Sequence, residues 1–327
     1  MTWQRFTGST DEWDTIVERL GATTPFQLSA WGAFRESFGW KLIRLITHDG
    51  QGAAQLLVRR IGFVQVVWGA GAPLGVVTPT SLRDLVSDTK RLLDARVLYL
   101  RVADHAPRES ARTSFFRAAG WSPTKQTIGS AGTLTRSLDA DTAPLSDLYS
   151  SNWSRNLRRG RQRNVTAQQW YRPDAELIAA LHRDVEKVKQ PYHAEWRADS
   201  AAIERLLTCF GKQLVVVQAI APDGVVHALR AAVIIGQNAY DFLAATSSEG
   251  RKLYASNVAL DALLGLLATR GVQRYDFGGI DPDNNKGVFD FKHGAGGAEV
   301  VYSGEYETAS PRFLKGLLAK LVASRTR

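Results

Sequence analysis

Apolar positions along the chain alternate between a period of two and a period of three to four, and the switches occur in the same order twice. In the first stretch Lys41–Thr47 reads as a strand, Asp49-Gly50 as a hairpin turn, and Ala53–Arg60 as the returning strand. A helix is expected from about Ser81 to Leu93 with Thr80 as its N-cap, followed by the strand Val97–Val102, which ends near Asp104. The second stretch begins with the strand Leu214–Ile220, turns at Asp223-Gly224 and returns along Val225–Ile235. A further strand, Ala239–Ala245, precedes a helix from about Ser256 to Arg270 with Gly271 as its C-cap. Arg274–Gly278 then reads as a strand, with Asp281 just beyond. Helices are predicted ahead of each stretch: Asp11–Leu20 and Ser29–Phe38 before the first, Asp174–Lys189 and Ser200–Phe210 before the second.

Each copy therefore reads helices, antiparallel strands, helix, strand, an α+β layered pattern used twice. The order matches the acetyltransferase-type (GNAT) fold, although it fits other mixed folds too. The expected fold class is α+β, with two tandem GNAT-like modules of mixed sheet flanked by helices. The join is placed in Ser137–Asp147, which holds Asp139, Asp141 and Pro144. Residues 1–140 would then form the first module and 141–307 the second, opened by a basic helix at 151–164. Pro311–Arg327 reads as a short basic terminal helix, and the segment 308–327 is expected to pack back on the first module.

A length of 327 residues has room for two ordinary domains, and 44% hydrophobic with 22% charged residues is globular rather than disordered composition. The single cysteine, Cys209 in LLTCFG, excludes a disulfide framework within the chain and suits a small core residue better than a nucleophile. The uncharged run Gly62–Leu82 is broken by glycines, prolines and Gln65 into strand-sized pieces, unlike a spanning helix. The first residues, MTWQRFTGSTDEW, lack the apolar core of a secretory signal, so a soluble cytoplasmic protein is expected.

Charge changes the picture more. The net charge of +9 suggests a polyanionic partner, and much of it gathers in residues 151–170, SNWSRNLRRGRQRNVTAQQW, which contain no acid. On a helix Arg155, Arg158 and Arg159 share one face, while Arg161 and Arg163 spread charge to others. Guanidinium forks suit phosphate. Trp153 and Trp170 flank the cluster as base-stacking platforms or as core anchors. A solvated basic helix remains the alternative, and the cluster does not separate tRNA from nucleotide-linked substrates.

The chain has no GxxxxGK[ST] loop, HExxH pair, Cys/His cluster or GxSxG elbow. No ATP site, metal or cofactor is therefore expected. The six histidines, His48, His105, His182, His193, His227 and His293, are scattered. A transferase of this kind needs a donor that arrives activated, as an aminoacyl ester or an acyl thioester. Attack by an amine then requires positioning, a proton acceptor and a positive group near the developing oxyanion. Residues 274–297, RYDFGGIDPDNNKGVFDFKHGAGG, offer such a group. Gly278-Gly279 end a strand where the backbone must approach something closely, Asn284–Gly287 read as a polar loop, and Lys292 follows Phe291 between glycine-rich turns. An ordinary hairpin with a surface lysine is the bland reading of that segment alone.

DFGGI, the following N-x-K-G and FKHGAGG together resemble the C-terminal signature of the FemABX (Fem) aminoacyltransferases. QLSAWGAFRESFGW at 27–40, WSRNLRRGRQRNVT at 153–166 and GRKLYASNVAL at 250–260 resemble other segments of that family in the same order. The resemblance implies twin acetyltransferase-like modules that take amino acids from aminoacyl-tRNA, with peptidoglycan precursors as the best-known acceptors. A lipid-linked precursor would bring the chain to the inner membrane face. The resemblance also implies roles. Phe291 and Lys292 match the family's FK pair, Lys292 stabilising the transferring carbonyl or acceptor phosphates. Arg35 matches a basic position that contacts a nucleotide-linked precursor. Asp104 would orient or deprotonate the amine, Lys189 would replace an arginine that holds precursor phosphate, and Tyr254 would be a pocket aromatic. No long heptad run is present, so the coiled-coil arm of some family members is not expected.

The chief rival is an acyl-CoA N-acyltransferase, whose [RQ]xxGx[GA] loop holds pyrophosphate at a helix start. Here the corresponding residues are RKLYAS, Arg251 to Ser256, with Tyr254 and Ser256 in place of the glycines. A non-catalytic RNA-binding module is the third reading, supported by the basic helix.

Overall fold

The computed structural model describes residues 2–139, 144–186 and 199–323. The chain divides into two compact units, Met1–Gly132 with Val301–Arg327, and Thr133–Val300.

In the first unit Trp3–Arg5, Lys41–Thr47, Gly52–Ile61 and Val64–Ala70 pair antiparallel in that order. Val64–Ala70 comes from the uncharged run, which folds as strand rather than spanning helix. It pairs in parallel with Val97–Pro107, which continues beyond the expected end at Val102. Tyr302 to Ser310 of the strand Ala298–Ser310 then add antiparallel to Val97–Pro107. The helix Pro79–Leu92 starts earlier than its pattern suggested, because Thr78 rather than Thr80 caps it. Thr78 accepts from the Ser81 amide, Ser81 Oγ accepts from the Thr78 amide, and Pro79 opens the first turn. Leu82 and Leu85 on this helix join a core with Trp3, Leu56, Val67, Leu100 and Trp121. A separate cluster sets Leu318 and Val322, from the helix Lys315–Ala323, against Val64, Val66 and Tyr99.

In the second unit Thr166–Gln169, Leu214–Ile220, Val226–Ile235 and Asn238–Thr246 pair antiparallel. Arg274–Gly279 lies parallel to Asn238–Thr246, and Gly132–Ser137 pairs antiparallel with it. The chain thus enters this sheet before the stretch 137–147. The alternation of Val215 and Val217 against Val216 divides the core between two sheet faces. One face carries the apolar helix Ala255–Ala268, and the other carries Ala175–Glu186 and Ser200–Phe210. Cys209 is partly buried, and burial pushes its thiol up. One local expectation fails: Lys286–Gly294 is a helix, so Lys286 and Gly287 begin a helix instead of lying in a loop. Phe289 and Phe291 supply the reason, since both pack against the unit's core at helical spacing.

Candidate functional site

The parallel ladder between Asn238–Thr246 and Arg274–Gly279 stops after Tyr240↔Asp276. Two residues later the chain turns at Gly278, whose φ of 71° favours glycine; a Cβ there would lie 2.9 Å from the Asp241 carbonyl oxygen. The carbonyls at this strand end need other donors. Lys292, brought in by the helix Lys286–Gly294, supplies them: its Nζ donates to Gly279 O at 2.8 Å and to Gly278 O at 3.2 Å. Asp276 Oδ1 accepts from the Gly278 amide at 2.8 Å and from the Thr133 hydroxyl, which also reaches Gly278 O at 2.9 Å.

This turn sits among buried charges. Lys292 is 8% exposed; burial pulls its pKa down to about 8 and Arg230 adds to that, while Asp241 and Asp276 oppose it. Burial raises Asp276 to about 6, against the hydrogen bonds from Thr133 and Gly278 and the nearby cations. The Asp241 carboxyl is also raised by burial, although Arg230 pairs with it directly. The Tyr275 hydroxyl faces that carboxyl without closing to hydrogen-bond distance, and burial pushes it well above the usual phenol range. Arg230 also lies over the Phe291 ring at 4.9 Å. Two cations and two acids thus balance one another in the interior, the arrangement in which buried charge is tolerated. Two of the three Lys292 ammonium hydrogens are spent on carbonyls, leaving one donor for a substrate oxygen.

Lys292, Phe291, Gly278 and Gly279 are therefore brought together. Arg230, Asp241, Asp276 and Thr133 were not anticipated. A signal existed for three of them: a charge in the buried part of each of the strands VHALRAAVII, NAYDFLAAT and RYDFGG, which must find a buried partner.

A second cluster surrounds Tyr254. The basic helix Ser151–Gln162 exposes all its arginines, as is Arg163 just beyond, and buries Trp153 at 3%, which makes Trp153 a core anchor rather than a stacking platform. Trp170 is partly buried against the other face of the sheet. The helix closes on the turn that precedes Ala255–Ala268. A Cβ on Gly160 would meet Val258 Cγ2 at 2.7 Å and the Leu253 and Tyr254 carbonyl oxygens at 3.3 Å. Arg159 Nη1 donates to Tyr254 Oη at 3.2 Å, Arg163 lies 5.0 Å over the Tyr254 ring and donates to Lys252 O, and Arg161 pairs with Asp261 at 2.7 Å. Arg155 donates to Asn152 Oδ1 of its own helix at 2.6 Å. Arg155 and Arg158 remain directed to solvent.

The first unit holds two of the anticipated residues. Asp104 is 5% exposed, and Arg112 engages both its oxygens, Nε to Oδ2 at 2.6 Å and Nη2 to Oδ1 at 3.0 Å. It lines a small cavity with His105, Arg108, Ser130, Tyr302 and Glu305. His105, 4.7 Å from the Tyr302 ring, is pushed down to about 4 by burial and so stays neutral. Arg35 is buried between Trp31 and Trp40, at 5.4 and 5.5 Å from their rings. Lys189 lies outside the described residues.

The second unit is GNAT-like: residues 150–293 match the acetyltransferase (GNAT) domain family. The crystal structure of FemX superposes with a TM-score of 0.80 at 15% identity, covering 98% of this chain and 99% of that one. A tandem GNAT protein from the clavulanic acid biosynthesis pathway gives 0.54 at 13% identity over 94% and 98% of the two chains. L-PGS from Bacillus licheniformis gives 0.56 at 12% identity, over 91% of each. No curated protein matches by sequence. The resemblance to the Fem family seen in the motifs is thus met by the fold, which is α+β with tandem GNAT-like modules. No helix among the described residues is long and apolar enough to cross a membrane.

Proposed function

We propose that this chain is an aminoacyltransferase that moves an amino acid from aminoacyl-tRNA to an amine of a peptidoglycan precursor or a related peptide or nucleotide-linked acceptor. One observation favours this donor over acyl-CoA. At the turn where a CoA enzyme presents glycines to pyrophosphate, Tyr254 stands under Arg159 and Arg163, and Gly160 of the basic helix packs on the Leu253 and Tyr254 carbonyls. A loop so covered does not admit a pyrophosphate to its backbone. The same helix turns Arg155 and Arg158 outward, where guanidinium groups can follow a polynucleotide backbone.

In this reading the acceptor nitrogen attacks the ester carbonyl, the carbon–nitrogen bond forms, and the carbon–oxygen bond to the tRNA ribose breaks. The amine loses a proton and the ribose oxygen gains one. Lys292 donates its remaining hydrogen to the carbonyl oxygen as negative charge develops there. Gly278 and Gly279 hold the ammonium in place, and Asp276 holds their turn. Asp104 belongs to the other unit, where Arg112 engages both its oxygens, and it carries no step in this reading.

The test offers the purified chain labelled aminoacyl-tRNA or labelled acetyl-CoA with the same amine acceptors. Transfer from the aminoacyl ester is expected, with the salt slope of tRNA binding reduced by about two when Arg155 and Arg158 become glutamine. Transfer from the thioester alone would overturn the donor assignment. RNA binding without transfer from either donor would leave a binding module.

A further inference from the structure

The end of the chain carries two apolar faces where a buried helix needs one. In the helix Lys315–Ala323, Leu318 and Val322 point into the cluster with Val64, Val66 and Tyr99. At about 100° per residue, Leu317 and Lys320 fall on a different side of the helix. Leu317 is 67% exposed, and Phe313, in the short helical turn before it, is 83% exposed. Phe63 is 70% exposed at a hairpin turn. Its neighbours Ile61 and Val64 belong to the same cluster as Leu318, so all three exposed side chains surround one piece of core.

The polar groups around them are one-sided. Arg60, Arg96, Arg312 and Lys320 are exposed on the segments that build or flank this cluster, and from Pro311 to the end the sequence contains no acid. Asp94, two residues before Arg96, is an exposed acid on these segments. Large apolar side chains rimmed by cations match the chemistry of an anionic lipid surface, which accepts the rings and the leucine among its acyl chains and the cations at its headgroups. An RNA would pair with the cations and leave Phe313 and Leu317 in water.

We propose that this face of the first unit, centred on Phe313, Leu317 and Lys320, docks the chain on anionic phospholipid membrane. The surface belongs to the first unit and the proposal does not depend on the identity of the donor.

Flotation of the full chain with vesicles tests it, using phosphatidylglycerol mixed with phosphatidylcholine, and phosphatidylcholine alone. Binding to the mixed vesicles is expected, and little to the zwitterionic ones. Phe313→Ser with Leu317→Ser should weaken binding at least about tenfold, and Lys320→Glu about fivefold. These side chains are exposed, so the thermal midpoint should hold. Arg155→Gln with Arg158→Gln, which removes charge from the basic helix, should leave flotation intact. Failure of the native chain to float overturns the proposal, as does flotation that survives the Phe313 and Leu317 changes or is lost with Arg155 and Arg158. A concentration-dependent dimer broken by Phe313→Ser, without vesicle binding, assigns the face to a second copy instead.

Discussion

The two units repeat one order of elements but finish their parallel strand pairs differently. In the first unit Val64–Ala70 and Val97–Pro107 stay paired over seven positions, from Val64↔Val97 to Ala70↔Ala103. In the second the corresponding ladder stops after three, and Gly278 turns away. Backbone groups released there are satisfied by side chains, with Lys292 on Gly278 O and Gly279 O and Asp276 on the Gly278 amide. The helices that precede the second strand of each pair differ as well. Pro79–Leu92 has the reciprocal Thr78–Ser81 cap, whereas Ala255–Ala268 follows Tyr254 at φ 57° with no side-chain cap and is covered by the basic helix. The first unit buries charge too, Arg101 against Glu305 and Asp104 against Arg112, but on strands whose backbone ladder is intact. In the second unit the parallel ladder ends early, and the carbonyls beyond it are held by a buried lysine that lies beside two acids.

Removing Lys292 should break the comparison most. Lys292→Ala leaves Gly278 O short of a donor and Asp241 and Asp276 less compensated. Transfer in single-turnover assays should fall by about 10²–10³-fold, with the fold checked by circular dichroism. Unchanged turnover would remove this lysine from the site. The pH profile is the next largest effect. Turnover should rise as Asp276 ionises near 6 and fall as Lys292 loses its proton near 8. Asp276→Asn should abolish the acid limb, and by withdrawing a charge that favours the ammonium it should move the basic limb about one unit toward acid. A basic limb that stays in place would separate Asp276 from Lys292.

Stability should show the same asymmetry. Asp276 prefers to fold protonated, so its contribution is present below the ordinary carboxylate range and is lost as pH rises through about 6. Asp276→Asn should flatten that part of the stability curve. Gly160→Val forces a branched side chain against Val258 and two carbonyls, and should cost about 1–3 kcal/mol in urea unfolding. A neutral result would mean that the basic helix does not close on the Tyr254 turn. Thr78→Ala should cost about 1 kcal/mol, the smallest effect, confined to the helix whose cap is local. A much larger loss would show that the first unit too depends on long-range support at this point.

Much of the frame was legible. Lys41–Thr47, Leu214–Ile220 and Ser200–Phe210 are found with the bounds read from their periodicity, since alternation and helical spacing are written in neighbouring residues. The helical nature of Lys286–Gly294 was missed because glycine and asparagine near its start resemble a loop, while the phenylalanines that anchor it act across the core. FKHG pointed to Lys292, but nothing local said that its ammonium would be buried on two carbonyls. The arginine cluster was visible as charge. That Arg159 and Arg163 face Tyr254 while Arg155 and Arg158 face solvent depended on which side of the helix the core claimed.

By itself the sequence determined the order of elements, the basic helix, the substituted loop at Tyr254 and the lysine after Phe291, because each depends on residues near one another in the chain. Only the tertiary structure decided that Arg230, Asp241 and Asp276 share one interior with Lys292, that Arg112 occupies Asp104, and that Gly160 seals the Tyr254 turn. The first of these joins residues from three strands and a helix. Their meeting is set by sheet register and by where the parallel ladder stops, properties of the paired strands that no single segment contains.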